Sequence, residues 1–329
     1  MIEPKGLANL GATCYINTTI SCLAACPYFL NFILEKIKPD DNTLISELNI
    51  VLYEQYVNGN SVVPRKFMNV LKQCCEKDIE IYTQNDINEF LSIFIDKLNK
   101  CICRSITVGK KELVELYEYK NTSYDIQKFK MDMNWYEKNK KEYSSLLDIF
   151  YGQNISQIIC GSCDHVHHNY EIYLNIMLPI ESDSRTLDDC LKNYFNEETL
   201  NNNDEQNWKC DRCNKYSESK KTSKLWRNPK IMVISLKRFT YSLKKNNQNI
   251  DIPLHLNLNK YSLTNKSKYK LQSVAMHYGN LQGGHYYSVT LSSNNKWYSV
   301  DDLDVKQIND PDFNTYGYVF FYVLDDDRS

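Results

Sequence analysis

The chain has 329 residues, 42% hydrophobic and 24% charged, with a formal net charge of −2, which is apolar material enough for a sizeable core and excludes a disordered or strongly basic, nucleic-acid-coating chain. No apolar run approaches the roughly 20 residues that span a bilayer, and Met1-Ile2-Glu3-Pro4-Lys5 lacks the apolar core of a signal peptide. The expectation is an intracellular monomer, cytoplasmic and/or nuclear, with no membrane or nucleic-acid partner, whose twelve cysteines are thiols and metal ligands rather than disulfides.

The chain begins with a glycine-punctuated loop, Gly6-Leu7-Ala8-Asn9-Leu10-Gly11-Ala12-Thr13, that delivers Cys14 to the start of an apolar helical run. Unsatisfied N–H groups and partial positive charge at a helix N-terminus favour thiolate over thiol, so the position predicts a lowered pKa for Cys14 and a cradle for an oxyanion. Asn9 offers an amide donor to the same developing charge. By itself, a cysteine at a helix start is more often a small buried residue.

Apolar spacing of three and four predicts helices over 16–34, 44–56, 64–74 and 87–98, a helical lobe. Between them lies Gln84-Asn85-Asp86-Ile87-Asn88-Glu89-Phe90, in which Asp86 and Glu89 are three apart and would project from one helix face. Such a carboxylate pair suits an arginine-bearing peptide. Further on, 135–147 predicts a charged amphipathic helix, read as part of an insertion (104–149) on the helical lobe.

Two Cys-x-x-Cys knuckles follow, Cys160-Gly161-Ser162-Cys163 and Cys210-Asp211-Arg212-Cys213. Four thiolates so spaced make a closed tetrahedral Zn²⁺ site with no open position for a catalytic water, hence a structural one. His165, His167 and His168 would then decorate the neighbouring turn. From about residue 155 the pattern turns β-like, as in 170–178 and 230–236, interrupted by Asn/Lys-rich stretches at 201–205 and 244–249 that read as exposed loops. Near the end, Gly283-Gly284-His285 opens one strand and Asp301-Asp302 closes the next. Antiparallel pairing brings His285 beside Asp301, the base and orienting carboxylate that a cysteine nucleophile needs.

These blocks, with 229–239 and the closing Tyr316-Gly317-Tyr318-Val319-Phe320-Phe321-Tyr322, stand in an order that resembles the ubiquitin-specific proteases, papain-like cysteine peptidases that cut after the C-terminal glycine of ubiquitin. The resemblance covers nearly the whole chain. It implies one α+β catalytic domain (1–329) with a helical thumb (1–103), zinc-bearing β fingers (150–228) and a β-rich palm (229–329). It also implies that Cys14 is the nucleophile, His285 the base, Asp301 the third triad member and Asn9 the oxyanion-hole side chain. Cys160, Cys163, Cys210 and Cys213 would hold zinc, and Asp86, Glu89, Gly283 and Gly284 would line the channel for the ubiquitin tail. Ubiquitin and ubiquitinated proteins would be the partners. Ser21, Thr18 and Asn85 depart from the family's usual Gln, Ser and Gln. A peptidase for another ubiquitin-like modifier, a non-catalytic ubiquitin-binding module and a zinc-ribbon scaffold stay open as alternatives.

Overall fold

Pro27 divides the first apolar run into two helices. In the computed structural model, which describes residues 3–38, 43–107, 123–200, 208–239, 245–264, 267–280 and 283–325, α1 (Cys14–Ala25) stops at Cys26 and α2 (Pro27–Lys36) starts on the proline. A first-turn proline lacks only an N–H that has no intrahelical partner there. The axes turn by 90°. So the single helix expected over 16–34 is two. Then come α3 (Leu44–Tyr56), α4 (Arg65–Cys75) and α5 (Ile87–Ile102). Eleven of the twelve α1 residues are buried, since the helix is enclosed by the other thumb helices on one side and by sheet on the other. The thumb core is aromatic: Tyr15 meets Phe90 edge-on at 5.1 Å and Phe90 stacks on Phe94 at 5.3 Å.

The palm is a sheet in the order β11-β10-β9-β8-β12-β6-β3, with β7 (His255–Asn257) also on β8. Its strands are β3 (Asn175–Leu178), β6 (Ile231–Leu236), β8 (Lys268–Gly279), β9 (Gly284–Leu291), β10 (Trp297–Asp301), β11 (Asp304–Ile308) and β12 (Gly317–Leu324). Side chains alternate between faces. Ile231, Val233, Ala275 and Phe321 face the thumb core, while Met232, Ile234, Val274 and Phe320 face a second core closed by the helix Leu187–Phe195. Both faces are covered, which is why these strands read as unbroken apolar runs rather than alternating ones.

The fingers are a separate sheet, β2-β1-β5-β4, built from β1 (Gly152–Cys160), β2 (Val166–Tyr173), β4 (Glu198–Leu200) and β5 (Ser219–Arg227). The run expected over 170–178 therefore splits at Leu174, giving β2 to the fingers and β3 to the palm. Apolar periodicity carries no information about which sheet a strand joins.

The 104–149 reading needs two corrections. The helix expected over 135–147 is the end of α6 (Ser123–Asn139), a break, and the short α7 (Ser145–Phe150), started by the Ser144 hydroxyl accepting from Leu146 N–H. And α6 lies on the finger sheet rather than the helical lobe. Met131 packs with Ile155 and Trp226, Gln153 donates to the Met131 carbonyl at 3.0 Å, and the Arg227 guanidinium sits 4.4 Å over the Trp135 ring. Its exit ties back to the thumb, through the Arg104–Tyr143 bridge and the Asn99 amide on the Glu142 carbonyl. Residues 108–122 of this stretch, 201–205 and Lys244 lie outside the described residues. The remainder of the 244–249 loop is held in place: buried Arg238 donates to the carbonyls of Asn246 and Gln248. Among the described residues no single helix is long and apolar enough to cross a membrane.

Candidate active site

The loop before Cys14 is folded around the Asn9 amide. Its Oδ1 accepts from Gly11 N–H (3.0 Å), Thr13 N–H (3.3 Å) and the Thr13 hydroxyl (3.1 Å), which leaves the NH₂ facing outward, where it donates to Asp302 Oδ2 at 2.9 Å. Gly11 and Ala12 take left-handed φ values of 102° and 50° to make the turn, a conformation that costs alanine about 1 kcal/mol. Thr13 does not cap α1 with its side chain; Ile16 N–H turns back to the Thr13 carbonyl at 3.1 Å, and the N–H groups of Cys14 and Tyr15 lie at the Cys14 sulfur. Across the cleft, β9 and β10 pair antiparallel and His285 Nε2 meets Asp301 Oδ1 at 2.5 Å. The β10–β11 turn then places Asp302 at φ 52°, directing its carboxylate to Asn9 and to Asn17 Nδ2 (2.7 Å). The same turn is locked to the thumb. Leu7 N–H donates to the Asp302 carbonyl at 2.9 Å, and a Cβ on Gly6 would sit 2.4 Å from that oxygen.

Cys14 departs from its expected electrostatics. Burial, at 3% exposure, pushes its thiol above the ordinary 9.0, and the Asp302 carboxylate pushes the same way. The N–H groups of Tyr286, Tyr15 and Cys14 itself oppose this without reversing it. The helix-start donors are present as expected; desolvation outweighs them. Tyr286, whose N–H reaches the sulfur, is the residue after His285 in β9.

A cavity of about 210 Å³ leads along the thumb–palm seam, walled by Gln84, Asp86, Phe239, His277, Gly284 and Tyr286. Gly284 is close-packed, because a Cβ there would lie 2.3 Å from His277 Nε2, whereas a Cβ on Gly283 would meet nothing within 4 Å. Burial, with the charges of Lys245 and His285, pushes the His277 imidazole down to about 4. Asp86 is not inside a helix with Glu89, as the spacing suggested, but is the N-cap of α5. Its Oδ1 accepts from Asn88 N–H at 2.8 Å and its Oδ2 from the Tyr318 hydroxyl at 2.7 Å. Glu89 is exposed and does not wall the cavity. Asp86→Ala is therefore expected to cost about 1 kcal/mol in denaturant unfolding, while Glu89→Ala leaves the midpoint unchanged; equal effects would contradict the capping role.

At the fingertip the two knuckles converge. The sulfurs of Cys160 and Cys213 are 3.8 Å apart and those of Cys163 and Cys210 3.7 Å, and all four lie within 4.8 Å of one another. A tetrahedron with metal–sulfur arms of about 2.3 Å has edges of about 3.8 Å, so the donor set fits one tetrahedral ion. His165 and His167 do not join it; both pair with Asp211 of the opposite knuckle, at 3.0 and 3.3 Å.

A model of the family described as ubiquitin carboxyl-terminal hydrolase matches residues 5–322. The chain belongs to that family. It is 27% identical over 97% of its length to ubiquitin carboxyl-terminal hydrolase 36 of Drosophila grimshawi and 27% over 96% to ubiquitin carboxyl-terminal hydrolase 4 of Saccharomyces cerevisiae. It spans 25% and 39% of those proteins. Among solved structures, the SAGA DUB module Ubp8/Sgf11/Sus1/Sgf73 bound to monoubiquitin superposes with a TM-score of 0.73, at 21% identity over 98% of this chain and 69% of that one. The same module bound to ubiquitin aldehyde gives 0.70 at 20% identity. Likeness at this identity establishes the α+β fold of the ubiquitin carboxyl-terminal hydrolases for this chain.

Two residues of this family member's site escaped sequence reasoning. Asn17 is 4% exposed and its amide reaches both Asp302 and the Leu7 carbonyl; the signal was a lone amide, one turn after Cys14, on a helix whose other side chains are apolar, thiol or hydroxyl-bearing. Tyr318, which orients Asp86, stood in a strand whose periodicity spoke only of packing.

Proposed function

We propose that the chain is a deubiquitinating cysteine peptidase that hydrolyses the bond after the C-terminal glycine of ubiquitin, with Zn²⁺ as a structural ion. What supports this is the His285–Asp301 pair at 2.5 Å, together with the Asn9 amide on the neighbouring Asp302 and Cys14 at the α1 N-terminus with the N–H of Tyr286, the residue after His285, at its sulfur. Asp301 accepts from Nε2–H, which leaves Nδ1 as the basic nitrogen. His285 takes the Cys14 proton as sulfur attacks the glycine carbonyl. The second N–H of Asn9 and the N–H groups of α1 receive the oxyanion. His285 then protonates the leaving lysine amine, and water hydrolyses the thioester. Burial and the Asp302 carboxylate raise the Cys14 pKa, which favours thiol over thiolate. Alkylation of Cys14 by iodoacetamide is accordingly expected to climb with pH through and beyond 9.0, and a plateau already reached in mild acid would contradict this. Activity is tested with a ubiquitin C-terminal amide, alongside the same amide of other ubiquitin-like modifiers; turnover of one of those alone would move the specificity.

The zinc would be held by Cys160, Cys163, Cys210 and Cys213, joining β1 to the strand-like approach to β5, and would supply cross-linking of the fingers and no chemistry at Cys14. Elemental analysis is expected to find about one zinc per chain, and Cys210→Ser to lower both zinc content and melting temperature. A metal-free protein of equal stability would contradict it.

A further inference from the structure

Tyr278 is the last side chain of β8, ahead of Gly279 at a left-handed φ of 103°. The β8–β9 register sets it directly across from His285 and sets Gly279 across from Gly284. Directly opposed residues of an antiparallel pair share a face and touch, and here the two ring centroids lie 5.4 Å apart with their planes tilted by 51°. Tyr287, on the same face as His285 one pleat further along β9, meets the Tyr278 ring at 6.3 Å. Beyond the Tyr278–His285 pair the ladder ends in glycines, so Tyr278 is the β8 side chain that packs on the imidazole. It does so from the surface. The tyrosine is 47% exposed and belongs to neither palm core, so its ring is placed for His285 rather than for the interior. The imidazole is therefore held by two different contacts, Asp301 Oδ1 at Nε2 and an aromatic ring alongside. The separation lies inside the roughly 6 Å over which the negative face of an aromatic ring attracts a cation.

We propose that Tyr278 is a positioning residue for the reaction: its ring keeps the His285 imidazole in the orientation that meets Asp301, and favours the positive charge the imidazole takes on as the Cys14 proton arrives. The inference rests on the reading of Cys14 as nucleophile and His285 as base. That charge develops in the transition state and is absent from the substrate complex, so the contribution belongs to kcat. Tyr278 does not wall the cavity on the thumb–palm seam, so KM has no reason to move.

The test is steady-state turnover of a ubiquitin C-terminal amide by Tyr278→Phe, Tyr278→Leu and Tyr278→Ala, with the His285 ring protons followed by NMR in the free chains. Tyr278→Phe keeps the ring and is expected to stay within about two-fold of wild type, while Tyr278→Ala loses about five- to ten-fold in kcat at unchanged KM. Tyr278→Leu, which keeps bulk without an aromatic face, should fall between them. The His285 ring signals, assigned by their loss in His285→Ala, should hold their positions in Tyr278→Phe and shift and broaden in Tyr278→Ala. Those spectra need no turnover: a wild-type chain inert on the amide would overturn the peptidase reading, whereas the spectra alone decide whether Tyr278 holds the imidazole. Unmoved His285 signals in Tyr278→Ala, a rise in KM in place of a fall in kcat, Tyr278→Phe as impaired as Tyr278→Ala, or Tyr278→Leu as active as Tyr278→Phe would each overturn the proposal.

Discussion

Replacing Cys14 by alanine is expected to abolish cleavage of a ubiquitin C-terminal amide, a fall on the order of 10⁴–10⁶ in kcat, while ubiquitin binding persists. Of the nearest cysteines in sequence, Cys22 and Cys26 are fully buried, and their thiols hydrogen-bond or pack within the thumb. The change removes one sulfur from a tightly enclosed helix start, with a stability cost of about 1 kcal/mol, so loss of activity would not be loss of fold. Retained turnover would remove the cysteine-peptidase reading altogether.

The adjacent aspartates should separate by role. Asp301→Ala leaves the His285 imidazole without the acceptor that fixes its tautomer, and a fall in kcat on the order of 10²–10⁴ is expected. Asp302→Ala should be milder. That carboxylate holds Asn9 and Asn17 and anchors the cysteine loop, although polar atoms of His285, Asp301 and Asp302 lie within 4.8 Å of one another. Its negative charge also raises the Cys14 pKa. Removing it should therefore shift the iodoacetamide pH profile downward even as turnover drops, a combination that Asp301→Ala would not give. If Asp302→Ala proves the more damaging, the orienting role passes to it.

Much of this was legible in the sequence because the site lies on short, strongly marked segments. Gly6 and Gly11 punctuate the cysteine loop, the Gly-Gly-His strand and the Asp-Asp turn are separated by one hairpin, and the knuckles announce themselves by spacing. What was not legible depended on tertiary enclosure. Helix position alone argued for an acidic Cys14; only the packing of β9 and the Asp302 turn against it showed that desolvation wins. Asp86 looked like a free carboxylate until Tyr318, 232 residues away, and its own helix N-terminus were found to occupy it. The charged amphipathic pattern over 135–147 pointed to the helical lobe, yet Met131 and Trp135 of α6 are buried and Met131 packs with Ile155 and Trp226 of the fingers, a choice of neighbour that local periodicity does not encode.

The central claim, that Cys14 is the nucleophile for the ubiquitin C-terminus, is tested most directly by reacting the chain with ubiquitin carrying a C-terminal thiol-directed electrophile and mapping the adduct by mass spectrometry. A single covalent ubiquitin on Cys14, absent in Cys14→Ala, is the predicted result. An adduct on any other cysteine, or none with the folded protein, would contradict it.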